Sequence, residues 1–147
     1  MTSDVKYSRI LVPTDGSEYS FIAARHAAYL AKCLGSELII LNVVDSGLAF
    51  HSGIHYAEGI ASMERSGRDA VGRVEALCRE SDVAAVRGVI LRGDPKTTIL
   101  NQAEEEKVDL IVMGSVGMSA IERVLIGSIS QSVMHHAKCP VLLIKGR

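Results

Sequence analysis

Five short apolar runs constrain this chain more than any other feature. They are RILVP (9–13), ELIILNVV (37–44), AVRGVIL (85–91), DLIVMG (109–114) and PVLLIK (140–145). Four of the five are almost continuously apolar and do not alternate, which is the pattern of strands buried on both faces. The third carries Arg87 and Gly88 and reads as an edge strand. Helical patterns fill the intervals. Ile22, His26, Leu30, Cys33 and Leu34 recur at helical spacing after Ser17 and Glu18, and Gly35 closes that helix. A longer amphipathic pattern runs from Ile60 to Cys78, weakened by Gly59, Gly67 and Gly72 at about 1 kcal/mol each against alanine. Asp94 and Pro95 form a helix start before Ile99, Leu100 and Ala103, and a last helix spans roughly 128–137. Strand and helix in alternation, ending on a strand, predict an α/β domain over residues 1–147. Its core is a doubly wound, five-stranded parallel sheet of Rossmann-like type with helices on both faces. Segment 45–59 is punctuated by glycine and reads as a mobile loop.

Composition narrows the function classes. Sixteen basic against seventeen acidic residues leave a net charge of -1, so no clustered positive charge addresses nucleic acid or an anionic membrane. Aromatics are 4% of the chain with no tryptophan, too few for a base-stacking platform. No apolar run reaches the length of a membrane span. The amino terminus shows no signal-type pattern, and the expected location is the cytoplasm. Cys33, Cys78 and Cys139 are scattered without a C-x-x-C pair and read as buried thiols in a reducing compartment.

The glycine placement in GSVGMSAIERVLIGSIS (114–130) points to a ligand. In an open parallel sheet, ligands bind beyond the carboxyl ends of the strands where the strand order reverses. Strands one and four flank that crevice, and they end in VPTDGS and VMGSVG. Gly114 and Gly117 are expected to supply left-handed backbone or close approach of main-chain amides to an anion. Gly127 and Ser128 would open the fourth helix, whose amino end attracts phosphate, with the hydroxyls of Ser128 and Ser130 as further donors. A phosphate cradle alone scarcely offsets an association cost of roughly 4–15 kcal/mol, so a nucleoside lodged against Pro13, Asp15 and Val43 is needed.

These residues resemble a known family. Gly114-x2-Gly117-x9-Gly127-Ser128 is similar to the G-x2-G-x9-G-[S/T] nucleotide motif of the universal stress proteins. RILVPTDGSEYS, LNVVD, RGDPKTTIL, DLIVMGSVG and CPVLLIK match that family's pattern in order and spacing across essentially the whole chain. The resemblance implies a sheet of order 3-2-1-4-5, usually a homodimer through the last strand (Val141 to Lys145), and ATP as ligand, with Mg²⁺ or Mn²⁺ held through its phosphates. It places Asp15 and the Val43 backbone at adenine, with Pro13 and Thr14 lining the pocket. Met113 and Gly114 fall by the ribose and first phosphates. Ser115, Val116, Gly117, Gly127, Ser128, Ile129 and Ser130 surround the phosphate chain. Val116 departs from the basic residue or histidine that often stands there, removing one side-chain donor.

The motif lacks the lysine of a G-x-x-x-x-G-K-[ST] loop, so a nucleotide-dependent stress-response regulator is expected ahead of a slow ATPase or phosphate-transferring switch. A nucleotide-free dimeric scaffold is the third reading. Arg123 and Glu122, inside the excursion between glycines, read as a surface pair. His51 and His55 have i, i+4 spacing but sit within the expected loop and lack the context of a metal site.

Overall fold

The computed structural model describes residues 4–51, 55–117 and 126–146. Glu122 and Arg123 lie outside the described residues. The elements run β1 (Arg9–Pro13), α1 (Glu18–Leu34), β2 (Glu37–Asp45), α2 (Ser46–His51) and α3 (Tyr56–Glu80). Then come β3 (Ala85–Gly93), α4 (Pro95–Glu105), β4 (Leu110–Gly114), α5 (Ser128–His136) and β5 (Val141–Ile144). All strand pairs are parallel, in the order β3-β2-β1-β4-β5. The expected doubly wound sheet is therefore present, with β3 on one edge and β5 on the other.

Alternation along the strands divides the core into two layers. Ile10, Val12, Leu38, Ile40, Leu110 and Val112 face α1 and α3, where they meet Ala24, Ala27, Ala28, Ala31, Val71, Val74 and Cys78. Leu11, Ile39, Leu41, Ile111 and Met113 face α4 and α5, meeting Ile99, Ala103 and Val133. Because both faces of the central strands are covered, their sequences are apolar without interruption. The buried alanines of α1 let that helix lie close against the sheet.

The helix ends follow local chemistry. The Ser17 side chain accepts from the Ser20 amide at 3.1 Å, and Gly35 closes α1 in the left-handed region at φ 68°. Asp94 accepts from the Thr97 amide at 3.0 Å, and Pro95 begins α4.

Two expectations are corrected. Segment 45–59 is not an extended loop: α2 occupies 46–51 and α3 begins at Tyr56, four residues ahead of Ile60. Ala49 and Ile60 bury themselves with Val44, and an Asp45 carboxylate oxygen accepts from the Leu48 amide at 3.0 Å. That burial, together with the bond at the start of α2, outweighs the helix-weakening glycines. His51 thus ends one helix and His55 precedes the next, so the pair is not spaced along a single helix. The cysteines also differ from one another. Cys78 is buried, and burial pushes its thiol up to about 11, whereas Cys139 is half-buried and Cys33 is exposed on the outer side of α1.

Candidate functional site

β2 is nine residues long and β1 five, and their register aligns Pro13 with Leu41. Asn42 to Asp45 therefore extend past the end of β1 and wall the space beside the β1–α1 turn. The turn itself is fastened at several points. The Thr14 amide donates to the Leu41 carbonyl at 2.8 Å, and the Thr14 and Ser20 hydroxyls share a hydrogen bond of 3.0 Å. An Asp15 carboxylate oxygen accepts from the Ser17 amide at 2.9 Å. Gly16 adopts φ 83°, a left-handed conformation that other side chains resist. Val43 and Met113 contribute apolar surface to the layer on the α4–α5 side.

β1 pairs directly with β4, which brings the second turn alongside. The Ser115 amide donates to the Ile144 carbonyl at 3.0 Å, continuing the sheet by one rung. The Gly127 amide donates to the Ser115 carbonyl at 2.6 Å, and the buried Ser130 hydroxyl donates to the Gly114 carbonyl at 2.7 Å. Those two bonds dock the start of α5 on the end of β4.

The glycines meet at one place. A methyl group on Gly117 would lie 2.7 Å from Asp15 Oδ2, and one on Gly127 would lie 3.5 Å from Val116 Cα and 3.9 Å from the Gly117 nitrogen. A methyl on Gly114 would lie 3.1 Å from the Val116 carbonyl oxygen and 3.2 Å from that of Tyr19. The structure thus gathers Asp15, Gly114, Ser115, Val116, Gly117, Gly127 and the first turn of α5 at one place beyond β1 and β4.

Of the two reasons for glycine read in the sequence, left-handed backbone is not found at these positions. Left-handed glycines are Gly16, Gly35 and Gly93; Gly114, Gly117 and Gly127 are not among them. At Gly114 and Gly117 close approach of other atoms, not left-handed backbone, favours the missing side chain, whereas a methyl on Gly127 would meet its neighbours at ordinary contact distances. The donors are also distributed differently. The Gly127 amide and Ser130 hydroxyl are engaged within the protein, while Ser128 and Ile129 are exposed at the helix start. The first turn of a helix leaves its amides without intrahelical partners, and the first bond of α5 comes only from the Gln131 amide to the Gly127 carbonyl at 2.9 Å.

Asn42, Ser20 and Tyr19 also contact these turns, and none was anticipated. For Asn42 a signal existed: it is the one polar residue inside the apolar run LIILNVV. The Arg73 guanidinium beside Glu18 lowers that carboxyl, the Thr97 amide lowers Asp94, and Arg87 lowers Glu106. Among the described residues no group of three or more His, Cys, Asp or Glu side chains is placed to hold a metal, and no helix is long and apolar enough to cross a membrane. A groove of about 480 Å³ lies elsewhere, between α4 and α5 at the amino ends of β4 and β5, lined among others by Leu100, Lys107, Val108, His136 and Cys139.

The sequence profile described as the universal stress protein family matches residues 6–145. The chain belongs to the universal stress protein family. A universal stress protein of Methanocaldococcus jannaschii is 36% identical over 143 residues, covering 95% of this chain and 82% of that protein. Among solved structures, the universal stress protein UspA from Lactobacillus plantarum superposes with a TM-score of 0.86 at 29% identity, covering 96% of this chain and 99% of the other. A universal stress protein solved in complex with cAMP superposes with a TM-score of 0.70 at 26% identity, covering 95% and 98% of the two chains.

Proposed function

We propose that this universal stress protein binds ATP in the crevice beyond β1 and β4 and acts as a nucleotide-dependent regulator of a stress response in the cytoplasm. The observation that carries the reading is that Gly127 packs against the turn at 114–117 while Gly117 of that turn meets Asp15 so tightly that a methyl would overlap the carboxylate. The cAMP complex of a family member supports a nucleotide in this fold. Asp15 accepts a hydrogen bond from the base or sugar, beside Pro13, Thr14 and the backbone of Val43. Met113, Gly114, Ser115 and Val116 border the ribose and first phosphates. Gly117, Gly127 and Ser130 shape the phosphate wall. The donors come from the Ser128 hydroxyl and the amides of Ser128 and Ile129, at the positive end of the α5 dipole. Mg²⁺ or Mn²⁺ enters with the phosphates.

The protein pairs with a second copy through Val141 to Lys145. β5 is the outer strand of the sheet, and its Leu142 is 38% exposed. An open apolar edge of this kind is stable when another strand covers it.

Mass spectrometry of small molecules released from purified, denatured protein, combined with ATP calorimetry, tests the reading. Nucleotide in the released fraction and saturable ATP binding are expected. No nucleotide and no binding heat would leave a scaffold in place of a sensor. Multiple-turnover hydrolysis at saturating ATP and Mg²⁺ is expected to match buffer.

A further inference from the structure

A buried amide and a missing side chain meet just behind the β1–α1 turn. Asn42 is 7% exposed within β2, and its Nδ2 donates to the Thr14 carbonyl at 2.9 Å. A methyl on Gly67 of α3 would lie 2.3 Å from Asn42 Oδ1 and 2.9 Å from its Cγ. Three residues along the same helix, Ala70 backs Gly16, where an added methyl would stand 3.5 Å from the Ala70 Cβ. The face that α3 presents to this turn carries no bulk at the positions where the turn and Asn42 approach.

A polar amide in an apolar strand is costly to bury unless it is bonded, so its presence calls for a partner that needs it. That partner is the Thr14 carbonyl. The Thr14 carbonyl and the Asp15 nitrogen and Cα share one planar peptide unit. Fixing that carbonyl therefore sets the direction in which Asp15 leaves the strand.

We propose that Asn42 is a positioning residue for Asp15, holding the Thr14–Asp15 peptide in the orientation that nucleotide binding requires, and that Gly67 is the space that admits its amide. The inference rests on the ATP reading above and adds to it residues that do not touch the ligand.

The test separates position from packing. Asn42→Ala and Gly67→Ala are each expected to lower both thermal stability and ATP affinity. In the double variant the methyl added at Gly67 occupies the space left by the Asn42 amide, so stability recovers toward wild type. The hydrogen bond does not return, and ATP affinity stays about three- to tenfold weak, the value of one neutral hydrogen bond. Wild-type affinity in the double variant would overturn the positioning role. Hydrogen exchange without nucleotide provides a second reading: the Gly16 and Ser17 amides of the double variant should exchange faster than wild type, with Leu11 and Val12 unchanged. Equal rates at Gly16 and Ser17 would overturn the proposal even for a wild type that binds no ATP, a result that by itself refutes only the ATP reading.

Discussion

Replacing Gly117 with alanine probes the crevice most directly, because the structure says which atom the new methyl meets. That atom is Asp15 Oδ2, 2.7 Å from the added carbon, against an ordinary contact of 3.4 Å or more. The carboxylate must retreat by about 0.7 Å to restore such a contact. Its other oxygen accepts from the Ser17 amide at 2.9 Å, so the retreat twists the side chain against that bond. A χ angle forced about 30° from its well costs roughly 0.5–1.5 kcal/mol, which is the expected loss of folding stability. The effect on ligand is larger. A hydrogen bond to a charged group is worth about 1.5–3 kcal/mol, so losing the Asp15 contact weakens ATP by roughly 10- to 150-fold.

Calorimetry on Gly117→Ala, Asp15→Ala and the double variant gives a thermodynamic cycle. Asp15→Ala removes the atoms that the methyl meets, so adding Gly117→Ala to it should cost little more affinity. The predicted coupling is about 1 kcal/mol or more, well above the few tenths seen for independent sites. Strictly additive losses would refute the argument, since Gly117 would then act by a route that does not pass through Asp15. Unchanged affinity in Gly117→Ala would remove the crevice assignment altogether.

Two further substitutions test the supports of the fold. Ser130→Ala deletes the donor to the Gly114 carbonyl and should destabilise by about 1 kcal/mol in urea melts, with α5 exchanging its amides faster than β4. Asp94→Ala removes the cap of α4 and should cost about 1 kcal/mol at pH 7. The Thr97 amide lowers the Asp94 carboxyl from its ordinary value of 3.8, so this contribution is complete above about pH 4 and is lost as pH falls through the lowered folded value. Denaturation at pH 7 and again below pH 3 should therefore show the gap between variant and wild type closing; a gap that persists in acid contradicts the cap's charge dependence.

How much of this was readable beforehand depends on whether the cause was local. Strand positions, the cap at Asp94 and the stop at Gly35 each follow from a few neighbouring residues, and the structure has them where the sequence puts them. The edge position of β3 was legible from Arg87, which reaches Glu106 and Glu37 at the sheet's rim. Segment 45–59 was misread because α2 is only six residues long and owes its packing to Ala49 meeting Val44 and Ile60 from other elements. Gly67 was counted as a weakness of α3 on propensity alone, although a side chain there would displace Asn42. For Gly114 and Gly117 the sequence offered left-handed backbone or close approach to an anion, when the atoms that crowd them include Tyr19 and Asp15 of the other turn. In each miss the deciding contact spans elements, which periodicity and propensity do not register.

The phosphate end of the crevice has its own test in Ser128→Pro. Ser128 is the first residue of α5, and Gly127 before it has φ -72° and ψ 162°, the extended conformation that a following proline requires. Proline is well suited to a first helical position, because the amide it lacks has no intrahelical partner there. The helix should therefore form as before, with folding stability at or slightly above wild type. What disappears is one amide and one hydroxyl, both aimed on this reading at phosphate. Removing even one donor to a charged group weakens ATP by about tenfold or more, while adenosine, which has no phosphate, should bind as to wild type. A Ser128→Pro protein that melts normally and retains full ATP affinity would place the phosphates away from α5. Equal weakening of adenosine and ATP would instead locate the damage at the β1–β2 end, contradicting the division of labour between the two turns.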